Sequence, residues 1–360
     1  MRTLALVTLA ALATAAPLAA QSGVRLTGAG ATFPYPIYSK WMIEYTRARP
    51  NVEINYQSIG SGGGIRQFMD RTVDFGGTDG PMTDSQITTV RGNVVHIPTV
   101  LGAVVPVYTL PNVTAQLRFT PDVLAGIFLG QITTWSDSRI AAVNPGVRLP
   151  TQDIVVVHRS DGSGTTYVWV DYLAKVSPEW ARRVGRGTAV NWPVGLGGRG
   201  NEGVASTVRR TPGAIGYVEL VYALQNRMPV GLVRNRAGQF VEATIPSTTA
   251  AAAGAMGTIR DDTDFRVSIT DPEGAGAYPI ASFTWILLPR QAPDQARARA
   301  LAEFLWWATH QGQQHASALG YAPLPARVVS LIEARLRTIT AGGRPVLPAG
   351  YSGAPVRPRG

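Results

Sequence analysis

The sequence predicts an α/β protein with mixed sheets covered by helices. Strand-like apolar runs alternate with helix-like ones from Val24 onward, as layered α/β folds require. The 360-residue length suits two domains or one large one. An apolar content of 45% is ample for a core.

The first twenty residues stand outside that fold. Arg2 supplies a positive start, Leu4 to Ala16 is mostly apolar, and Leu18-Ala19-Ala20 offers small residues for cleavage. This is the pattern of a secretory signal peptide, too short to span a membrane. It predicts an exported chain of about 340 residues, diffusing freely in a periplasm. The chain has no cysteine, so neither a disulfide nor a cysteine-linked lipid anchor is expected.

Within the mature chain, Ile37, Tyr38, Trp41 and Tyr45 recur at helical spacing, and Val52, Ile54 and Tyr56 alternate as in a half-buried strand. Ile65–Asp70 reads as a helix. Val100–Thr109 and Phe283–Leu288 read as buried strands, and Thr99–Tyr108 and Tyr278–Leu288 are candidate crossings between two lobes. Ile154–Val157 predicts a strand and Thr166–Lys175 a helix. Thr248–Gly254 is compatible with a helix. From Ala341 the last twenty residues hold five glycines and four prolines, and a disordered tail is expected.

The formal charge is +10 and falls by one when Arg2 is removed. Of 33 basic residues only Lys40 and Lys175 are lysines, a skew that looks like codon bias. The basic residues are scattered. Arg182-Arg183 with Arg186, and Arg209-Arg210, lack interleaved aromatics, which argues against a nucleic-acid surface.

Three loops share one logic. Arg159-Ser160-Asp161-Gly162-Ser163-Gly164-Thr165 joins a predicted strand to a predicted helix. Free N–H groups at a helix start accommodate an anion, and Ser163, Thr165 and Arg159 add donors. Thr27–Pro34 and Ile59–Gly64 also end where helices begin, and carry Thr32 and Ser61. A fourth segment, Asp74–Pro81, places Asp79 in a tight turn. A carboxylate facing an anion makes sense when the anion has a proton to donate, as protonated phosphate has and ionised sulfate has not. A buried acceptor left unpaired costs about 1–3 kcal/mol or more.

Other chemistries fail on spacing. Neither lysine follows glycine, so there is no Walker loop. Gly195-Leu196-Gly197-Gly198-Arg199-Gly200 matches a dinucleotide spacing, but Trp192-Pro193-Val194 is a poor strand and no helix start is evident after it. No nucleophile elbow surrounds Ser61 or Ser163, and the four histidines form no zinc pattern. An exported phosphatase or phosphotransferase using Ser163 or Ser61 would need a base that no motif supplies. A secreted adhesin or scaffold is the remaining rival.

GAGATFPYPIYSKW from Gly28, Ile59–Gly64, DFGGTD from Asp74 and RSDGSGTTYV from Arg159 can now be read together, with NWPVGLGGRGN from Asn191 and PGAIGYVE from Pro212. The chain resembles the periplasmic phosphate-binding proteins that feed ATP-driven phosphate importers, over nearly all of the mature sequence, weakest in Leu232–Asp264 and absent in the tail. The resemblance implies a two-lobed, type II periplasmic-binding-protein fold closing at a hinge. Lobe I would comprise 21–101 plus 276–340, and lobe II 102–275. It implies phosphate held by Thr32, the Phe33 N–H, Ser61, Asp79, Arg159, Ser163, Gly164 and Thr165, with Asp161 as the salt partner of Arg159. Asp79 would accept the phosphate proton. It further implies no catalysis, no cofactor, a monomer, and delivery to the permease and ATPase subunits of an inner-membrane ABC transporter. Two departures stand out. Family members often carry serine at Gly62 and alanine-serine at Gly77-Thr78; the Gly62 N–H is expected to replace the missing hydroxyl as a donor.

Overall fold

The computed structural model describes residues 23–260 and 263–353. The leader expected at 1–20 and the end of the tail, 354–360, lie outside the described residues. The chain opens with β1 (Val24–Gly30), α1 (Tyr35–Ala48), β2 (Val52–Ser58), α2 (Ser61–Met69), β3 (Phe75–Thr78) and α3 (Asp84–Thr89). A long strand follows, β4 (Val95–Tyr108), then β5 (Arg118–Phe119), α4 (Pro121–Phe128), α5 (Ser138–Val143) and β6 (Val155–Arg159). Next come α6 (Gly164–Val176), α7 (Pro178–Arg183), β7 (Leu196–Gly198), α8 (Gly200–Arg210), β8 (Ala214–Glu219) and α9 (Leu220–Gln225). β9 (Leu232–Arg234), β10 (Phe240–Val241) and α10 (Ile245–Gly254) precede the return through β11 (Ala281–Leu288). The chain ends in β12 (Gln291–Ala292), α11 (Gln295–Thr309), α12 (Ala326–Arg337), β13 (Thr340–Ala341) and β14 (Arg344–Pro345).

One eight-stranded sheet has the order β2-β1-β3-β11-β4-β8-β6-β7. β1, β2 and β3 run parallel at one end, as do β6, β7 and β8 at the other. β4 joins the two groups. It pairs antiparallel with β11 along Val95–Ala103, then with β8 along Val104–Tyr108. Every residue of β4 is buried, which explains its near-continuous apolar run. It extends five residues upstream of the expected Val100 start because it continues through Pro98. Proline has no N–H for the ladder, and the pairing shifts register there, with Trp285 opposite Pro98 and Thr284 opposite Val100. The extra residue, Thr99, sits in a bulge.

The amphipathic helix α1 buries Ile37, Tyr38, Trp41 and Tyr45 as its spacing predicts. Helix α2 begins at Ser61, four residues before the expected Ile65. Its first turn is the glycine run, whose low helix propensity hides it from a sequence reading. The segment after Trp192 also departs from expectation. Leu196–Gly198 forms an edge strand parallel to β6, and α8 starts at Gly200. β7 has only three residues and little apolar content, so neither periodicity nor composition marks it.

The expectation of a disordered tail from Ala341 is overturned as far as Gly353. β13 and β14 form a tight hairpin through Gly342 and Gly343, both at positive φ, next to β12. Ala341, Val346 and Leu347 are buried, and Tyr351 packs edge-on against Trp306 of α11. Too few apolar residues occur here to read as a core segment; the surface of α11 makes them one. Among the described residues, no helix is long and apolar enough to cross a membrane. We predict that L347A lowers unfolding free energy by about 2–5 kcal/mol, measured by denaturant titration. An unchanged midpoint would detach the tail from the core.

Candidate functional site

Four loops that leave the carboxyl ends of β1, β2, β3 and β6 converge, in the crevice where ligands of open α/β sheets bind. Their polar side chains are withdrawn from solvent: Thr32, Ser61, Asp79, Arg159, Ser163 and Thr165 are all buried. The structure thus brings together the residues the sequence singles out. Ser61, Gly164 and Thr165 occupy the first turns of α2 and α6, where N–H groups lack intrahelical acceptors. The Ser163 hydroxyl caps α6 by accepting from the Thr166 N–H at 3.0 Å. Phe33 has a fully buried ring and its carbonyl accepts from the Tyr321 hydroxyl at 2.6 Å, so only its main chain is available to a ligand.

Arg159 and Asp161 form a two-pronged pair, Nε to Oδ1 at 2.8 Å and Nη2 to Oδ2 at 2.6 Å. Asp161 Oδ1 also accepts the Gly200 N–H at 3.0 Å. Burial alone would raise the Asp161 carboxyl, but the Arg159 guanidinium and the Gly200 N–H outweigh it and hold the pKa below the usual carboxylate range. Arg159 Nη1 is buried without a hydrogen-bond partner. A donor of this kind is costly unless something accepts from it.

Asp79 behaves oppositely. Burial lifts its pKa from 3.8 to about 7, against the opposing pull of the Thr284 hydroxyl, the Arg159 charge and Ser61. Thr284 donates to Oδ1 at 2.8 Å, and the Asp79 N–H donates to Ser61 Oγ at 3.2 Å. α6 approaches this pair so closely that a methyl group on Gly164 would lie 2.5 Å from both Asp79 Oδ2 and Ser61 Oγ. Only glycine fits there.

The two ends of the sheet meet across this cage. The Gly62 N–H donates to the Gly162 carbonyl at 2.8 Å, so it is not the free donor expected from the sequence. A side chain at 62 would crowd Gly162, its Cβ standing 2.9 Å from the Gly162 Cα. At Gly77 a side chain would collide with the Tyr56 hydroxyl, which donates to the Ala31 carbonyl at 2.9 Å. That contact accounts for the glycine at 77 in the second departure.

Sequence reasoning missed four supporting residues. Asn201, fully buried at the start of α8, donates through Nδ2 to Thr32 Oγ1 at 2.7 Å and to Thr165 Oγ1 at 3.1 Å. Tyr222 donates to the Thr32 carbonyl at 2.6 Å. Thr284 reaches Asp79 from β11. Glu219 lies at the end of β8; burial pushes its carboxyl well above the usual range, and Oε2 accepts the Val221 N–H at 2.9 Å. The partners of Asn201, Tyr222 and Thr284 are distant in sequence, so no local signal marks these roles. Asn201 and Glu219 close two segments already singled out, NWPVGLGGRGN and PGAIGYVE.

A mixed α/β sheet whose two parallel ends face each other over a polar cage is the architecture of a periplasmic-binding-protein-like ligand receptor. The model of the PBP superfamily domain matches residues 14–311. A phosphate-binding protein PstS of Xylella fastidiosa is 47% identical over 323 residues, covering 89% of this chain and 87% of its own. One from Pasteurella multocida is 45% identical over 314 residues, covering 87% of this chain and 90% of its own. The chain belongs to the PBP superfamily and, within it, to the PstS family of phosphate-binding proteins. The fold extends to distant relatives. The phosphate-binding protein of Stenotrophomonas maltophilia has a TM-score of 0.67 at 20% identity, covering 88% of this chain and 94% of its own. A high affinity periplasmic phosphate-binding protein bound with phosphate has a TM-score of 0.68 at 22% identity, covering 90% of this chain and 100% of its own.

The Asp79 shift has a consequence for stability. Between about pH 4 and 7 the folded carboxyl keeps a proton that the unfolded one has lost, so stability falls as pH rises through this window. We predict that D79N flattens that decline in ligand-free protein, measured by denaturant titration at several pH values. Parallel profiles for the two proteins would contradict a buried, raised Asp79.

Proposed function

We propose that this protein captures inorganic phosphate between two lobes and delivers it to a membrane ABC transporter, without chemistry. The observation that carries the reading is the pairing in one buried cage of Asp79 with Arg159. A tetrahedral oxyanion that keeps one proton satisfies both: unprotonated oxygens accept from Arg159 Nη1, and a P–OH donates to Asp79. The Thr32 and Ser61 hydroxyls, the Phe33 N–H, the Ser163 and Thr165 hydroxyls, and the first-turn N–H groups of Gly164 and Thr165 supply the other donors. Asp161 keeps Arg159 aimed.

The moving bodies would be lobe I, 21–101 with 276–340 and the packed tail, and lobe II, 102–275. The change of β4's partner between Ala103 and Val104 supports this division. Ligand favours the closed form because only there do loops of both lobes touch it. The leader pattern supports release into the periplasm, where the protein would act as a monomer before docking on permease and ATPase subunits.

Calorimetric titration with phosphate and sulfate at pH 8 tests the reading. Phosphate should bind at least about 100-fold more tightly, because sulfate leaves an ionised Asp79 unpaired. Equal affinities would refute the role of Asp79. The preference should shrink below about pH 7, where Asp79 carries its own proton and can donate to sulfate. In D79N it should be small at all pH values. A wild-type preference independent of pH would place selectivity elsewhere in the cage.

A further inference from the structure

The hydroxyls of Thr32 and Thr165 belong to loops from opposite ends of the sheet, and one buried amide holds both. Asn201 Oδ1 accepts the Glu219 N–H at 2.9 Å. A backbone N–H can only donate, so the amide oxygen must lie on that side and the NH₂ on the other. The NH₂ then donates to Thr32 Oγ1 and Thr165 Oγ1 at 2.7 and 3.1 Å. The Asn201 backbone N–H also donates to Thr32 Oγ1, at 3.3 Å.

A hydroxyl has two lone pairs and one hydrogen. At Thr32 two N–H donors occupy both lone pairs, which leaves the hydrogen as its only remaining valence. At Thr165 one lone pair is taken the same way. We propose that Asn201 is a positioning residue that fixes the Thr32 and Thr165 hydroxyls as donors to the ligand. The Thr32 wall of the cage then fits only an oxygen without a proton, Thr165 is biased the same way by the lone pair it has lost, and the ligand's single proton is left to Asp79. The inference rests on the reading of the cage as a phosphate site.

Asn201 could otherwise be a brace between the halves, and a double-mutant cycle separates the two roles. Phosphate affinity is measured by calorimetry at pH 8, titrating to millimolar phosphate, for N201A in the wild-type and T32V/T165V backgrounds. Ligand-free melting of each variant checks the fold. With both hydroxyls present, N201A should weaken binding roughly 10- to 100-fold, the loss of one or two oriented hydrogen bonds. Without them it should change affinity by less than about 3-fold, because nothing remains to orient. Equal losses in both backgrounds would identify a brace and overturn the proposal, as would wild-type affinity in N201A. N201D gives a second measurement: its carboxylate accepts and cannot donate, so the hydroxyl hydrogens turn towards it. It should bind no better than N201A, and affinity near wild type would overturn the proposal. Failure of wild-type protein to bind phosphate would instead defeat the reading of the cage itself.

Discussion

The rest of the site depends on the fork between Arg159 and Asp161. Burying a guanidinium costs several kcal/mol unless its partner is geometrically matched. Two parallel bonds and a shared N–H from Gly200 supply that match. Because Asp161 follows Arg159 by only two residues, the pair also fixes the loop that leads into α6. It anchors the start of α8 through Gly200, and so places Asn201. The fork also holds the guanidinium in one orientation, which leaves Nη1 as its buried, unpartnered donor.

With that pair internally neutral, the cage has little net charge to attract an anion. What remains is a set of directed dipoles and one buried carboxyl. Asp161 and Asp79 illustrate opposite outcomes of burial: the first is kept ionised by a cation at hydrogen-bond distance, whereas burial lifts the second to about 7 because the hydroxyls and the more distant Arg159 charge only partly offset it. On the proposed reading the site would select on where protons are, more than on how much charge the ligand carries. This also fits the scattered basic residues of the chain, many of which sit in exposed ion pairs such as Arg25–Glu53 and Arg183–Glu179 that contribute little.

The four loops were legible because the rules behind them are local. Hydroxyls and glycines gather where helices start, and Asp79 stood out as a carboxylate in a small-residue turn. The supporting residues were not legible, because their roles arise from tertiary approach. Thr284 meets Asp79 across 205 residues and Asn201 meets Thr32 across 169. Local rules also failed where packing overrides them. β4 runs through Pro98 because a bulge absorbs the missing donor, and Val346 and Leu347, flanked by prolines, become core only through the tertiary packing of the tail.

The position of β4 ties the cage to the crossing between the two ends of the sheet. Both passages of the chain between the ends of the sheet meet at Val104, whose N–H donates to the Ile280 carbonyl at 2.8 Å and whose carbonyl accepts from Tyr278 at 3.0 Å. Glu219 pairs with Val104 in the sheet, and its N–H pins Asn201. Glu219 thus stands beside the crossing point in the sheet and, through Asn201, is hydrogen-bonded to the two threonine hydroxyls. A rotation about Val104 that opened the cage would break the bonds from Asn201 and Tyr222 to the Thr32 loop together with the Gly62–Gly162 contact. Partial opening would leave buried donors unpaired, which is costly in a low-dielectric interior. If the two halves open and close as proposed, intermediate positions would be disfavoured for that reason.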